Sequence, residues 1–205
     1  MDVQSEPPEN FGWLLEGATE YRADRVLLSA GLIDMPSYTQ RFNQKHARYD
    51  GPYRSARSAN LEAILAGFWT GDYAIQRQPY LRGNLLAHDW NARILQNQNP
   101  DANFDELLRE WVDQGRRQPL DSAQLDSLSK KYLKEGVLPD IRRHWFEGAT
   151  VPLEANALGP CFALYEKQGV RQFKRLEEIT EIEWEKVCLE EPPGWTRPQP
   201  HAASP

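Results

Sequence analysis

The chain has 205 residues, 40% of them hydrophobic and 26% charged, which is the balance of a folded globular protein and excludes a disordered one. No apolar run approaches the roughly 20 residues that cross a bilayer, and the acidic, proline-bearing start MDVQSEPPEN lacks the apolar stretch of a secretory signal. A net charge of −6 argues against general nucleic-acid binding, although Arg41, Lys45, His46, Arg48, Arg54 and Arg57 fall close enough in sequence to make a local basic patch.

These features point to a cytoplasmic protein with no membrane span. In that compartment Cys161 and Cys188, which match no metal or redox spacing, are expected as free thiols.

Residues 1–9 read as a disordered arm, because Pro7 and Pro8 deny a regular start. One globular domain follows over 10–190, helical to 148 and then a β-hairpin plus helix over 149–190. A proline-rich flexible tail closes the chain at 191–205. Asn10 caps a first helix on which Phe11, Leu14, Leu15, Ala18, Tyr21 and Leu28 recur at helical spacing, up to a stop at Gly31. Gly12 and Gly17 each weaken this helix by about 1 kcal/mol relative to alanine, so tertiary packing has to hold it. A second helix starts at Ser37, after Pro36, with a basic outer side, and breaks at Asp50-Gly51-Pro52. Ser58 caps a short third helix that turns Leu61, Ile64, Leu65 and Phe68 one way.

The stretch from Gly67 to Leu95 is the densest in groups able to do chemistry. It reads as a loop broken by Gly71, Pro79 and Gly83, then a helix from Asn84 that stacks Leu86, Trp90 and Ile94 on its inner side. At about 100° per residue His88 falls opposite that stripe and outside the core, while Asp89 pairs with Arg93 along the surface.

Two clearer helices come next. Asn103 and Glu106 form a capping box for the first, with Phe104, Leu107, Leu108 and Trp111 turned inward and Gly115 at its end. The second, around DSAQLDSLSKKYLKEG, buries Leu125, Leu128 and Tyr132, carries Lys130, Lys131 and Lys134 towards its C-terminus and stops at Gly136. Pro139 then opens a short helix with Ile141, Trp145 and Phe146, stopped at Gly148.

Beyond Gly148 the helical period is lost. Cys161–Tyr165 and Val170–Leu176 make a hairpin across Lys167-Gln168-Gly169, and a capping box at Thr180 and Glu183 opens a last helix through Trp184 and Val187. The fold class that follows is α+β, predominantly helical: about seven helices with a C-terminal β-hairpin and a final short helix.

Catalytic signatures are missing. Neither a phosphate-cradling glycine loop nor a G-x-S-x-G elbow occurs. His88-Asp89 has the order of a kinase catalytic loop, but Ile94 stands where that loop has Asn. Asp140 and His144, four apart on one helix, offer two metal ligands, but a third such as His46 would have to come from elsewhere, so neither metal nor cofactor is expected.

The aromatics and arginines of the central loop have the composition of interface anchors. The expected function is therefore a non-enzymatic protein-binding accessory or immunity-type protein that recognises another protein through Trp69, Tyr73, Arg77, Tyr80 and Arg82. The alternative is a small cofactor-independent enzyme acting on a small-molecule anion. There Arg77 and Arg82 form the anion clamp and His88, beside Asp89, is the acid/base. The alternative requires these groups to converge on one cavity, whereas the first reading requires an outward aromatic patch.

Overall fold

A computed structural model describes residues 12–96, 102–159, 161–167 and 170–180. The arm expected at 1–9, the helix expected beyond Thr180 and the tail at 191–205 lie outside these residues. The helices are α1 (Gly12–Ser29), α2 (Met35–Asp50), α3 (Leu61–Phe68), α4 (Tyr73–Gln76), α5 (Gln78–Gln96), α6 (Phe104–Gly115), α7 (Ser122–Ser129) and α8 (Leu138–Ile141), the last running on into a π-type turn, Arg142–Phe146. Strands β1 (Phe162–Lys167) and β2 (Val170–Arg175) pair antiparallel. The fold is predominantly helical α+β, with the hairpin towards the C-terminus.

Local chemistry sets the element ends. Gly31 takes φ 68°, which lets the amides of Gly31 and Leu32 bond back to Leu28 and Leu27 and close α1. Asp34 caps α2 by accepting from Ser37 N at 2.9 Å, with Pro36 in the first turn, so α2 begins two residues ahead of Ser37. Asn60, and not Ser58, caps α3 through Ala63 N at 2.9 Å. Asn103 caps α6, and Asp121 with Gln124 makes a reciprocal capping box on α7.

α7 stops at Ser129 rather than running to Gly136. The buried Asp126 carboxylate accepts from Val137 N at 2.9 Å and Leu138 N at 2.8 Å and so draws the following chain back onto the helix. Gly136, at φ 73°, makes room for this, since a Cβ there would stand 2.1 Å from Asp126 Oδ1. Lys130, Lys131 and Lys134 therefore lie past the helix.

The core gathers on α5. Leu81, Leu85, Leu86, Trp90 and Ile94 are buried together with Tyr21 of α1, Phe42 and Tyr49 of α2, Phe104, Leu107 and Trp111 of α6, and Trp145. Trp90, Phe104 and Trp111 meet pairwise at 5.6 to 6.4 Å between ring centroids. α5 starts at Gln78, six residues before the expected Asn84. Pro79 is tolerated in its first turn, where its missing N–H has no helical partner to lose. Gly83 lies inside the helix, where α1 crosses: a Cβ on Gly17 would stand 2.2 Å from Gly83 Cα and 2.7 Å from Asn84 N. The glycine that lowers helix propensity in α1 is thus the one that permits backbone contact with α5.

The hairpin docks on α2. In the register Leu164↔Phe173 the Phe173 peptide groups point away from β1, and Asn43 takes both, accepting from Phe173 N at 2.7 Å and donating to Phe173 O at 2.8 Å. Asp50 pairs with Arg171 at 3.2 Å. α2 so stands in for a third strand, which a lone hairpin needs for stability. Cys161, buried at the start of the hairpin, is disulfide-bonded and not the free thiol expected; the sequence has one other cysteine, Cys188, outside the described residues. No helix among the described residues is long and apolar enough to cross a membrane.

Gly17→Ala should destabilise the protein by about 3 kcal/mol, because two backbones would have to separate. Gly31→Ala, where a Cβ meets nothing within 4 Å, should cost about 1 kcal/mol from its left-handed φ alone. Urea unfolding midpoints of the two variants check the difference, and equal losses would show that the crossing tolerates separation.

Candidate functional site

The five residues expected to form one binding surface fall into three places. The loop after α3 is tied at both ends: Thr70 Oγ1 donates to Gly67 O at 2.7 Å, Gln76 Nε2 donates to Phe68 O at 2.6 Å, and Asp72 caps α4 through Ala74 N and Ile75 N. Gly71 supplies the positive φ of 84° that the turn requires. On this loop Trp69 is 88% exposed and Tyr73 58% exposed. Trp69 meets Phe68 edge-on at 5.1 Å and Tyr73 meets Tyr53 at 5.9 Å, and Leu65 is exposed on α3. Leu65, Trp69 and Tyr73, close in sequence, each present apolar surface outward, a shelf along one short stretch of chain.

Arg77 and Tyr80 form a second, half-buried group. The Arg77 guanidinium lies over the Tyr80 ring at 4.6 Å and approaches Glu20 at 3.9 Å. Burial raises the Tyr80 phenol above its ordinary range, and the Glu16 carboxylate to which it donates adds to the effect. Glu16 and Glu20 escaped the sequence reading. Their signal was a pair of carboxylates one helical turn apart on either side of Gly17.

Arg82 is not a surface residue. It runs into the interior, where Nη1 donates to Ala59 O at 2.8 Å and His144 O at 2.7 Å and Nη2 donates to Arg57 O at 2.8 Å. Both terminal nitrogens are directed at backbone carbonyls and Nε is buried without a partner among the described residues, so no fork is open to an anion and the clamp of Arg77 and Arg82 does not form. Arg82→Lys should cost about 2 kcal/mol or more in urea unfolding, since one ammonium cannot reach three carbonyls in this planar arrangement.

His88 is likewise interior. Its ring lies opposite the Leu86 stripe as expected, but that side is covered by α1 and α2 and does not meet water. Phe42, Tyr21 and Tyr38 surround the ring at 4.5, 4.9 and 6.2 Å. Burial, with Arg25 and Lys45 nearby, pulls its pKa down to about 3, against a hydrogen bond at Ala157. The imidazole is neutral at physiological pH and closed to a dissolved substrate.

Asp89 does pair with Arg93, at 3.1 Å, yet it is buried rather than on the surface. Arg93 also donates to Asp140 at 2.7 Å, and Asp140 accepts from Trp90 Nε1 at 2.8 Å. Burial pushes the Asp89 carboxyl up to about 6, helped by Asp140 and Glu154 and opposed by Arg93. A group whose folded pKa is raised contributes stability below its unfolded pKa, near 4, and that contribution is lost as pH rises through about 6. Relative to Asp89→Asn, the wild type should therefore lose on the order of 2–3 kcal/mol between pH 4 and pH 6. Unfolding midpoints of both proteins across that range test it, and parallel profiles would mean that Asp89 titrates normally.

Asp140 and His144 do not converge on a metal. Asp140 is held as described, and His144 Nδ1 lies 3.1 Å from Ala149 O. Among the described residues no group of three or more His, Cys, Asp or Glu side chains could hold an ion. The basic run of α2 is largely neutralised: Arg41 and Lys45 each reach Asp24 at 2.7 Å, Arg57 reaches Asp50 at 2.8 Å, and His46 is buried.

Residues 1–79 match the family model of M61 glycyl aminopeptidase, a span that covers α1 to α4 and ends one residue before Tyr80. The chain is also similar to L-lactate dehydrogenase of Actinobacillus pleuropneumoniae serotype 5b (strain L20), at 28% identity over 88 residues, and to that of Haemophilus influenzae (strain PittEE), at 26% over 88 residues. Each of these matches covers 39% of this chain and 22% of the dehydrogenase, so the chain spans under a quarter of the curated relatives it matches. The four histidines are followed by Ala47, Asp89, Trp145 and Ala202, so the zinc-peptidase pattern H-E-x-x-H does not occur in this sequence.

Proposed function

We propose that the chain is a non-enzymatic, protein-binding module of the accessory or immunity type that holds its partner on the shelf of Leu65, Trp69 and Tyr73. One observation carries this reading: an indole 88% exposed on a loop hydrogen-bonded at both ends. Large apolar groups left in water mark interaction sites, and tryptophan and tyrosine are the commonest anchors at them. A loop already fixed in shape loses little entropy when a partner covers it. Arg77 and Tyr80 follow the shelf in the chain, and Arg82 holds the carbonyls of Arg57 and Ala59 just ahead of α3.

The similarity to a glycyl aminopeptidase, whose name implies action on polypeptide, supports a polypeptide partner. The cytoplasmic setting expected from the sequence belongs to this reading. The Cys161 disulfide opposes it, and alkylation of free thiols in freshly lysed cells decides the point.

A second reading is favoured by the Tyr80–Glu16 hydrogen bond together with the match over residues 1–79. Carboxylates at Glu16 and Glu20 beside a phenol suit the ammonium of a peptide amino terminus. In that case the activity is aminopeptidase-like and the residues that hold the substrate ammonium are Glu16, Glu20 and Tyr80, in place of His88.

Replacing both Trp69 and Tyr73 by alanine should change stability by less than about 0.5 kcal/mol while abolishing cross-linking to the native partner. A large loss of stability would show the shelf to be part of the core and end the binding assignment. Hydrolysis of a glycyl-coumarin amide by the wild type, lost in Glu16→Gln and Tyr80→Phe, would establish the second reading instead.

A further inference from the structure

α2 and the hairpin part company at one end. Asn43 and His46 meet the backbone of Phe173 and Arg171. Gln40, nearer the start of α2, makes no such bond among the described residues, and a cleft of about 500 Å³ opens there. Phe162, Ala47 and Pro36 supply its apolar lining.

Around it stand three primary amides, Gln40, Gln44 and Gln172, none of which makes a hydrogen bond among the described residues. Among the described residues no carboxylate lines the cleft, and the one charged side chain there, Arg175, is engaged through Nη2 with Ile179 O at 2.9 Å.

Asn43, on the same wall, already shows what an amide does at this distance from a strand. It satisfies the donor and the acceptor of one residue at once, at 2.7 and 2.8 Å. We propose that the cleft binds an extended, uncharged polypeptide segment of another molecule, its backbone amides pairing with Gln40, Gln44 and Gln172 as Phe173 pairs with Asn43.

The spacing fits a strand. Gln40 and Gln44 are separated by about 6 Å along the helix axis, close to the roughly 6.8 Å between like-facing peptide groups. Each amide offers both a donor and an acceptor, which a peptide unit matches without side-chain specificity. Apolar side chains of the bound segment rest on Phe162. This site is separate from the aromatic shelf, and its failure would leave the shelf assignment standing.

The test uses the isotope-labelled full chain, titrated in NMR with the blocked peptide acetyl-Val-Thr-Val-Thr-Val-amide and, separately, with maltotriose. The expected result is saturable shifts with the peptide at the amides of Gln40, Gln44 and Gln172 and at Phe162, and none with the sugar. The triple variant Gln40→Ala, Gln44→Ala, Gln172→Ala should bind about tenfold more weakly or worse with an unchanged unfolding midpoint. Should that variant fold poorly, Gln44→Glu alone, on the exposed face of α2, should weaken binding in the same direction. The absence of saturable shifts up to about 10 mM peptide, saturation by maltotriose instead, or full peptide affinity in the variants would each overturn the proposal.

Discussion

Backbone contact between α1 and α5 at Gly17 and Gly83 is the constraint from which the rest of the structure follows. Helices usually pack with axes 8–10 Å apart, the gap filled by side chains. Where two glycines meet the gap closes, and residues one or two turns beyond the crossing are pressed together. This is why Tyr21 and Arg25 of α1, one and two turns past Gly17, end up buried against His88 of α5. With α1 on one side, α2 on another and α6 on a third, α5 has no solvent face over most of its length.

Such a crossing brings polar groups inside, and they have to be satisfied there. Arg25 bonds the buried Asp105 at 2.7 Å, and Arg22 reaches the same carboxylate from the rim. Buried polar side chains elsewhere complete backbone groups that no helix or strand supplies: Arg82 for the turn before α3 and the π-type turn, Asp126 for the chain after α7, Asn43 for the open edge of β2. Each joins segments far apart in sequence, so each holds tertiary structure that helix propensity cannot reach. The arrangement is not perfect. Neither polar atom of the Asn84 amide, nor the Tyr21 hydroxyl, finds a partner among the described residues, a cost of about 1–3 kcal/mol apiece.

How much of this was legible depended on whether the deciding partner was near in sequence. Most helices, the hairpin and the Asn103 cap rest on spacings of two to four residues, and they appeared at or close to their expected positions, whereas the cap of α3 fell on Asn60 instead of Ser58. The start of α5 was misplaced because Pro79 and Gly83 read as breakers when taken alone. In the fold the proline occupies a first turn and the glycine a crossing. His88 was misjudged because an argument from one apolar stripe assumes that the other side meets water, which fails for a helix covered by neighbours. The role of Arg82 depends on carbonyls 23, 25 and 62 residues away, and no local pattern encodes them. Trp69 and Tyr73 were legible because a tight turn between short helices has no hydrophobic period to bury them.

The dense stretch from Gly67 to Leu95 therefore resolves into a gradient and not a single site. Where it is still loop, its rings face outward. Where it meets the flank of the crossing, Arg77 and Tyr80 lie half in water against Glu16 and Glu20. Past Gly83 His88 and Asp89 are enclosed, and Arg93, still partly exposed, is held by Asp89 and Asp140. A residue's capacity for chemistry is thus limited first by its distance from the crossing and only then by its side chain. An imidazole held neutral among three rings can do less for a ligand than an indole with no reactive atom at all, because only the indole can be reached.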